Sequence, residues 1–215
     1  MPSLRDNGAL PGILRRDERG FTLAEILVAM ALSLTLLAIL YSFSRLHLYN
    51  LRSQEKGMEV LARGRAAMAL MTRKIREAGY WPSTGGAPLS GCARIRTAAA
   101  SQIRVQTDLN GNGTCSDANE DTTYTYDANS RIIQRSPGGG AVVTNVEIPA
   151  GNAFLTYYGQ GSATPLTLPV SDSRIIKRVR ISFEVEVDDP TPYGKASGKK
   201  VRVALVSDVF FRNSE

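Results

Sequence analysis

Apolar and polar positions fall into three patterns along the 215 residues. After a charged opening that ends at Gly20, Ile26 to Phe43 is an 18-residue run without charge, glycine or proline. That length suffices to cross a hydrocarbon core and exceeds the usual apolar core of a secretory signal. It predicts a transmembrane segment over about 23–43. Beyond it Met58, Leu61, Gly64, Met68, Met71, Ile75 and Ala78 recur at spacings of three and four residues, the stripe of a helix with one buried face. Arg63, Arg65, Arg73, Lys74, Arg76 and Glu77 occupy its other face. Gly79 suits the left-handed position after a helix end and Pro82 blocks continuation, so one helix is predicted over 21–79. Unbroken from Phe21 to Ala78 it would be roughly 87 Å long at 1.5 Å per residue. Gly57 and Gly64 are the places where it would bend.

After Pro82 the pattern changes to short stretches separated by turn residues. Strands are predicted over 102–107, 122–126, 131–135, 142–148, 154–158, 177–187 and 200–209. From Val179 to Val187 apolar and polar residues alternate strictly, as in a strand with one face on a core and one in water. Asp127 to Ser130 and the Pro/Gly stretch Asp188 to Gly198 read as hairpin connections. The expected architecture is α+β: a long N-terminal helix laid on an antiparallel sheet, with residues 80–215 as one head.

Charge orients this arrangement. Arg5, Arg15, Arg16 and Arg19 precede the apolar run and nothing comparably basic follows it closely, which places the N-terminus in the cytoplasm and the head outside. Ala29-Met30-Ala31 resembles a signal peptidase site, but cutting there would split the run and leave its larger part on the product. Glu25 is the unusual residue. An unpaired carboxylate at the centre of a membrane helix costs about 3 kcal/mol, so Glu25 requires a partner or a function, or else reaches the headgroups from the helix start.

Gly20-Phe21-Thr22-Leu23-Ala24-Glu25, ahead of the apolar run, resembles the processing site of type IV prepilins. Ala24 stands where isoleucine is common. The resemblance implies that residues 1–20 are a leader, that prepilin peptidase cuts between Gly20 and Phe21 and methylates the new amine, and that Glu25 compensates the amine of a neighbouring subunit in the filament. Arg73-Lys-Ile-Arg-Glu-Ala-Gly-Tyr-Trp81 and Asp208-Val-Phe-Phe-Arg-Asn213 resemble the PilW group of minor pilins. The J-type minor pseudopilin of type II secretion is similar in layout. Together these imply the type IV pilin fold and a non-enzymatic subunit of pilus initiation and the tip complex. Its partners would be other minor pilins, the major pilin, prepilin peptidase and the inner-membrane assembly machinery. It would lie in the bacterial inner membrane before assembly and at the pilus tip afterwards.

Two cysteines, Cys92 and Cys115, fall in the segment assigned to an oxidising periplasm and argue for one disulfide over free thiols or a metal site. The only histidine, His47, reads as an interfacial polar residue. Asp108-Leu-Asn-Gly-Asn-Gly113 reproduces the opening of a calcium loop. The twelfth position is Asn119 where a bidentate glutamate is wanted, so a calcium site would draw on Asp108, Asn110, Asn112, Asp117 and Glu120 or Asp121. The alternative, and the favoured reading, is an Asn-Gly turn with solvated acids.

The formal net charge of +6 is weak ground for nucleic-acid binding. The arginines from Arg174 to Arg180 are followed by Glu184 and Glu186, and no aromatic platform interleaves with them. No Ser/His/Asp set or Cys/His pair suggests an anchored enzyme. The chain reads as a PilW-like minor pilin, with a type II secretion pseudopilin or a calcium-dependent adhesive tip component as alternatives.

Overall fold

The computed structural model describes residues 20–170, 172–189 and 191–212. Arg5, Arg15, Arg16, Arg19 and the closing Asn213 lie outside the described residues. Two compact units divide at His47 and Leu48.

A single helix, α1 (Leu23–Glu77), is continuous through both Gly57 and Gly64. Within the first unit its leucines, isoleucines and Phe43 are exposed. An 18-residue window reaches a mean hydropathy of 2.4 with none of it buried. Thr35 and Ser42 donate their hydroxyls to the carbonyls of Ala31 and Ala38, at 2.8 and 2.9 Å. Their polar atoms are thus satisfied inside the helix, as a lipid environment requires.

In the second unit α1 buries Val60, Gly64, Ala67, Met68, Met71 and Ile75. Met58 departs from the expected stripe and is 63% exposed. At about 100° per residue it lies on the far side of the helix from Val60. Leu61 is half-buried. Past the helix Gly79 takes φ +78° and donates its N–H to the Gln106 carbonyl at 3.0 Å, which turns the chain towards the head.

Two antiparallel sheets share one core with this half of α1. The first is a meander of β1 (Ile95–Ala98), β2 (Gln102–Gln106), β3 (Asp121–Asp127), β4 (Ile132–Ser136) and β5 (Gly140–Thr144). The second contains β6 (Val146–Glu147), β7 (Leu155–Tyr158), β8 (Arg178–Asp188) and β9 (Lys200–Phe210). β9 pairs with β8 along its whole length, while β6 and β7 pair with different parts of β8. The expected strand over 142–148 is divided between the sheets at Asn145, whose φ of +58° breaks the extended backbone. β1 was not anticipated, because four residues are too few to show a period. The stretch after β8 holds a short helix, α2 (Pro192–Ser197), whose Thr191 hydroxyl accepts the Gly194 N–H at 3.0 Å.

β8 realises the alternation read from its sequence. Val179, Ile181, Phe183 and Val185 are buried in the core. On the opposite face Glu186 is only 3% exposed, because cations cover it. Lys200 Nζ lies 2.6 Å from its carboxylate, Arg202 Nε 3.2 Å, and the Arg131 guanidinium also pairs with it. Burial alone would push the Glu186 carboxyl up, but the Lys200 and Arg131 bonds prevail and hold it at about 2.

Gly64 sets the approach of helix to sheet. A Cβ there would collide with Leu205 Cδ1 on β9 and lie 3.3 Å from Val185 Cγ2 on β8. At Gly57 the nearest atom would be Val201 Cγ1 at 3.8 Å, an ordinary contact. Gly64→Val is therefore expected to destabilise the protein by about 2 kcal/mol through overpacking. Gly57→Ala is expected to stabilise it by about 0.5–1 kcal/mol through helix propensity. Denaturant unfolding of the detergent-solubilised chain separates the two.

A second prediction concerns acid. Glu186 has a folded pKa of about 2 against an ordinary 4.5, so its stabilising contribution is fully present above 4.5 and is lost as pH falls towards 2. Glu186→Gln should cost stability at neutral pH, with the gap from wild type closing between pH 4.5 and 2 in melting curves.

Candidate functional site

The boundary at the start of α1 is built from four residues. Gly20 and Phe21 precede the helix in an exposed, irregular segment, with Phe21 84% exposed. The Gly20–Phe21 peptide bond is thus outside the helical hydrogen-bond ladder, in the kind of segment that proteases reach. Thr22 follows as the cap. Its N–H and its hydroxyl donate to Glu25 Oε2 at 2.8 and 2.9 Å, and the Glu25 N–H donates to Thr22 Oγ1 at 3.3 Å. This reciprocal capping box satisfies donors that every helix start leaves open. Glu25 also places negative charge at the positive end of the helix dipole. A cut before Phe21 would create an amine one residue ahead of Thr22, adding positive charge at that same end. The sequence motif thus brings Gly20, Phe21 and Glu25 to one exposed helix terminus.

The second cluster lies where the chain leaves α1. Asp108 has no exposed surface and receives four donors. The Gly111 and Asn112 N–H groups reach Oδ1 at 2.8 and 3.1 Å, and the Gly113 N–H and Ser83 hydroxyl reach Oδ2 at 3.2 and 2.5 Å. The Ser83 bond first, with those backbone donors, holds its carboxyl below the usual range against the effect of burial. Glu120 is also buried, and its Oε1 accepts the Leu109 and Asn110 N–H groups at 2.8 and 3.2 Å. Asp117 Oδ2 accepts from the side-chain amides of Asn110 and Asn112 at 3.0 and 2.6 Å.

Asp121 stands apart from this group. Arg104 holds it through both guanidinium arms, one at 2.8 Å, and Gln106 donates to it at 3.0 Å. The loop thus gathers Asp108, Asn110, Asn112, Asp117 and Glu120, while Asp121 belongs to the β2–β3 pair. Among the described residues no group of three or more Asp, Glu, His or Cys is arranged to hold a metal ion. Most of the loop's acidic oxygens are engaged by N–H and O–H donors, which is turn chemistry. Glu120 Oε2 is the exception, buried and without a partner. Ser83, the residue that locks Asp108, carried no signal in the sequence because it lies 25 residues away.

A disulfide joins Cys92 to Cys115 with their Cα atoms 6.1 Å apart. It ties the segment leaving the helix to the Asp108 loop. The Asp108 N–H adds a bond to the Tyr80 carbonyl at 2.9 Å. His47 is exposed near the end of the apolar segment.

Residues 15–41 match the family model of the prokaryotic N-terminal methylation motif. No curated protein and no solved structure matches the chain. The match covers the Gly20 to Glu25 motif and most of the apolar segment, and it supports a type IV prepilin-like protein. With that motif, the apolar helix on antiparallel sheets is the α+β type IV pilin fold. The head lies outside the match.

The four donors on Asp108 generate a test of the loop. Asp108→Ala is expected to lower the melting midpoint on the order of 5 °C, by releasing buried donors. The effect should be equal in millimolar calcium and in chelator, and the wild-type midpoint should not differ between them. A wild-type midpoint raised by calcium and insensitive to calcium in Asp108→Ala would assign the loop to the cation instead.

Proposed function

We propose that the chain is a minor pilin of a type IV pilus, a PilW-like subunit that takes part in initiating assembly and in the tip complex. The observation that carries the reading is the junction at Gly20. A charged segment ends there, an exposed peptide bond follows, and Thr22 caps a helix whose apolar surface the described residues of its own unit leave uncovered. Prepilin peptidase would remove residues 1–20 and methylate Phe21. The precursor would sit in the inner membrane with its N-terminus cytoplasmic and its head in the periplasm. The major pilin and other minor pilins would then surround the apolar helix in the filament.

Glu25 has a defined part in this account. In the precursor its carboxylate is engaged by Thr22, an exposed local contact that a stronger donor can displace. The ammonium of a processed neighbour is such a donor, because it adds the attraction of a full opposite charge to the hydrogen bond, which the neutral Thr22 groups do not. Insertion needs only the apolar run, whereas packing among other helices needs the charges matched.

Glu25→Ala is accordingly expected to leave insertion and processing intact while largely excluding the protein from sheared pili. Peptide sequencing of the membrane-extracted protein should show a mature N-terminus at Phe21. Wild-type recovery of the variant in sheared pili would remove the role given to Glu25. Intact piliation in a deletion strain, together with lost protein secretion, would move the chain to the type II secretion reading.

A further inference from the structure

A cleft of about 910 Å³ opens where the chain leaves α1. Tyr80, Trp81 and Pro88 give its lining apolar surface, and Arg94, Arg174 and Arg212 give it positive charge. No aspartate or glutamate is among the described residues that line it. Elsewhere in the head the balance differs: Arg104, Arg131, Arg180 and Arg202 each lie within an ion pair of a carboxylate. Arg174 and Arg212 are exposed and make no ion pair among the described residues.

The cleft is also held in shape. The Arg94 stem crosses Gly79, where a Cβ would lie 3.0 Å from its Cγ and Cδ. Its guanidinium stacks 4.6 Å from the Phe211 ring centre and donates to the Ile176 carbonyl at 2.8 Å. Arg174 sits in a 3₁₀ turn (Ser173–Ile175) whose cap, Asp172, accepts the Arg174 N–H at 2.9 Å. Cys92, pinned by the disulfide, lines the same space.

We propose that this cleft binds an extended, carboxylate-bearing peptide segment of a partner protein, with its acids on Arg174 and Arg212 and its apolar residues against Tyr80 and Pro88. A lone anion would use only part of such a volume and none of its apolar lining. Guanidinium groups match carboxylates in a planar, two-bond geometry, and a positively charged cleft whose own lining carries no carboxylate attracts an acidic partner. The proposal does not depend on the chain entering a filament.

The test uses the full chain in nonionic detergent and a fluorescein-labelled heptapeptide alternating glutamate with leucine. The peptide should bind, and its glutamine counterpart should bind at least about tenfold more weakly. Arg174→Glu with Arg212→Glu should abolish binding. Arg65→Glu with Lys195→Glu, which changes net charge equally outside the cleft, should leave affinity within about twofold. Equal binding of the glutamine peptide, or retained binding by the cleft variant, overturns the proposal. Failure of the acidic peptide to bind overturns it as well, and polygalacturonate binding in its place would assign the cleft to acidic saccharides.

Discussion

Among the described residues, side chains between Leu23 and Leu46 have nothing in their own unit to bury them, and the consequences of that reach through the rest of the chain. Burying one leucine or isoleucine is worth about 1.5–3 kcal/mol. Ten leucines and isoleucines are exposed over that stretch, so leaving them in water would cost on the order of 20 kcal/mol. That exceeds the whole stability of a typical domain. Only lipid, or other apolar helices, can supply the missing medium. Within such a medium every polar atom needs an internal partner. The hydroxyls of Thr35 and Ser42 find one in the preceding turn, and the opening N–H groups find one in the Thr22–Glu25 box.

The same helix obeys a different rule after Leu48. There one stripe is buried and the rest is polar, and the constraint becomes how closely the backbone can approach the sheets. Gly64 settles it by having no Cβ where Leu205 and Val185 press in. From that contact the core extends through Met68, Met71 and Ile75 to both sheets. At its far end the chain is fastened again, by the Gly79 turn, the Asp108 loop and the disulfide. These fastenings rest on backbone N–H groups, one buried carboxylate and one covalent bond rather than on apolar area.

Much of this was legible in the sequence, for physical reasons that differ by region. The apolar run, the helix end at Gly79 and the alternation of β8 rest on local periodicity, which tertiary contacts did not override. The readings that failed needed information from elsewhere in the chain. Gly64 looked like a flexible point because its partner, Leu205, is distant in sequence. Met58 fitted a three-and-four spacing but fell on the wrong side once Val60 fixed the phase of the buried face. The single strand read over 142–148 gave no warning of the left-handed Asn145 that sends its two ends to different sheets. Among the site residues, the motif around Gly20 and Glu25 was readable because all its members are adjacent. The cleft arginines were not, because Arg94, Arg174 and Arg212 meet only in the folded head.

The acidic residues separate by what their carboxylates already do. Glu186 is covered by three cations, Asp121 is held by Arg104, and Asp108 is filled by four donors. Removing any of these groups would strand donors or cations inside the head, so their chemistry is committed to the fold. Glu25 is engaged too, but only by a residue three positions away, and it is fully on the surface of its unit. Exchanging Thr22 for another donor would leave the core of the head untouched. A carboxylate in apolar surroundings that the fold does not consume is available to a partner with a complementary charge. If subunits are cut before Phe21 as proposed, a similarly built neighbour would carry its new amine at the start of the same motif. Under the proposed function the motif would supply both halves of an ion pair, one on each of two adjacent helices, and a chain lacking Glu25 would leave a neighbour's amine uncompensated.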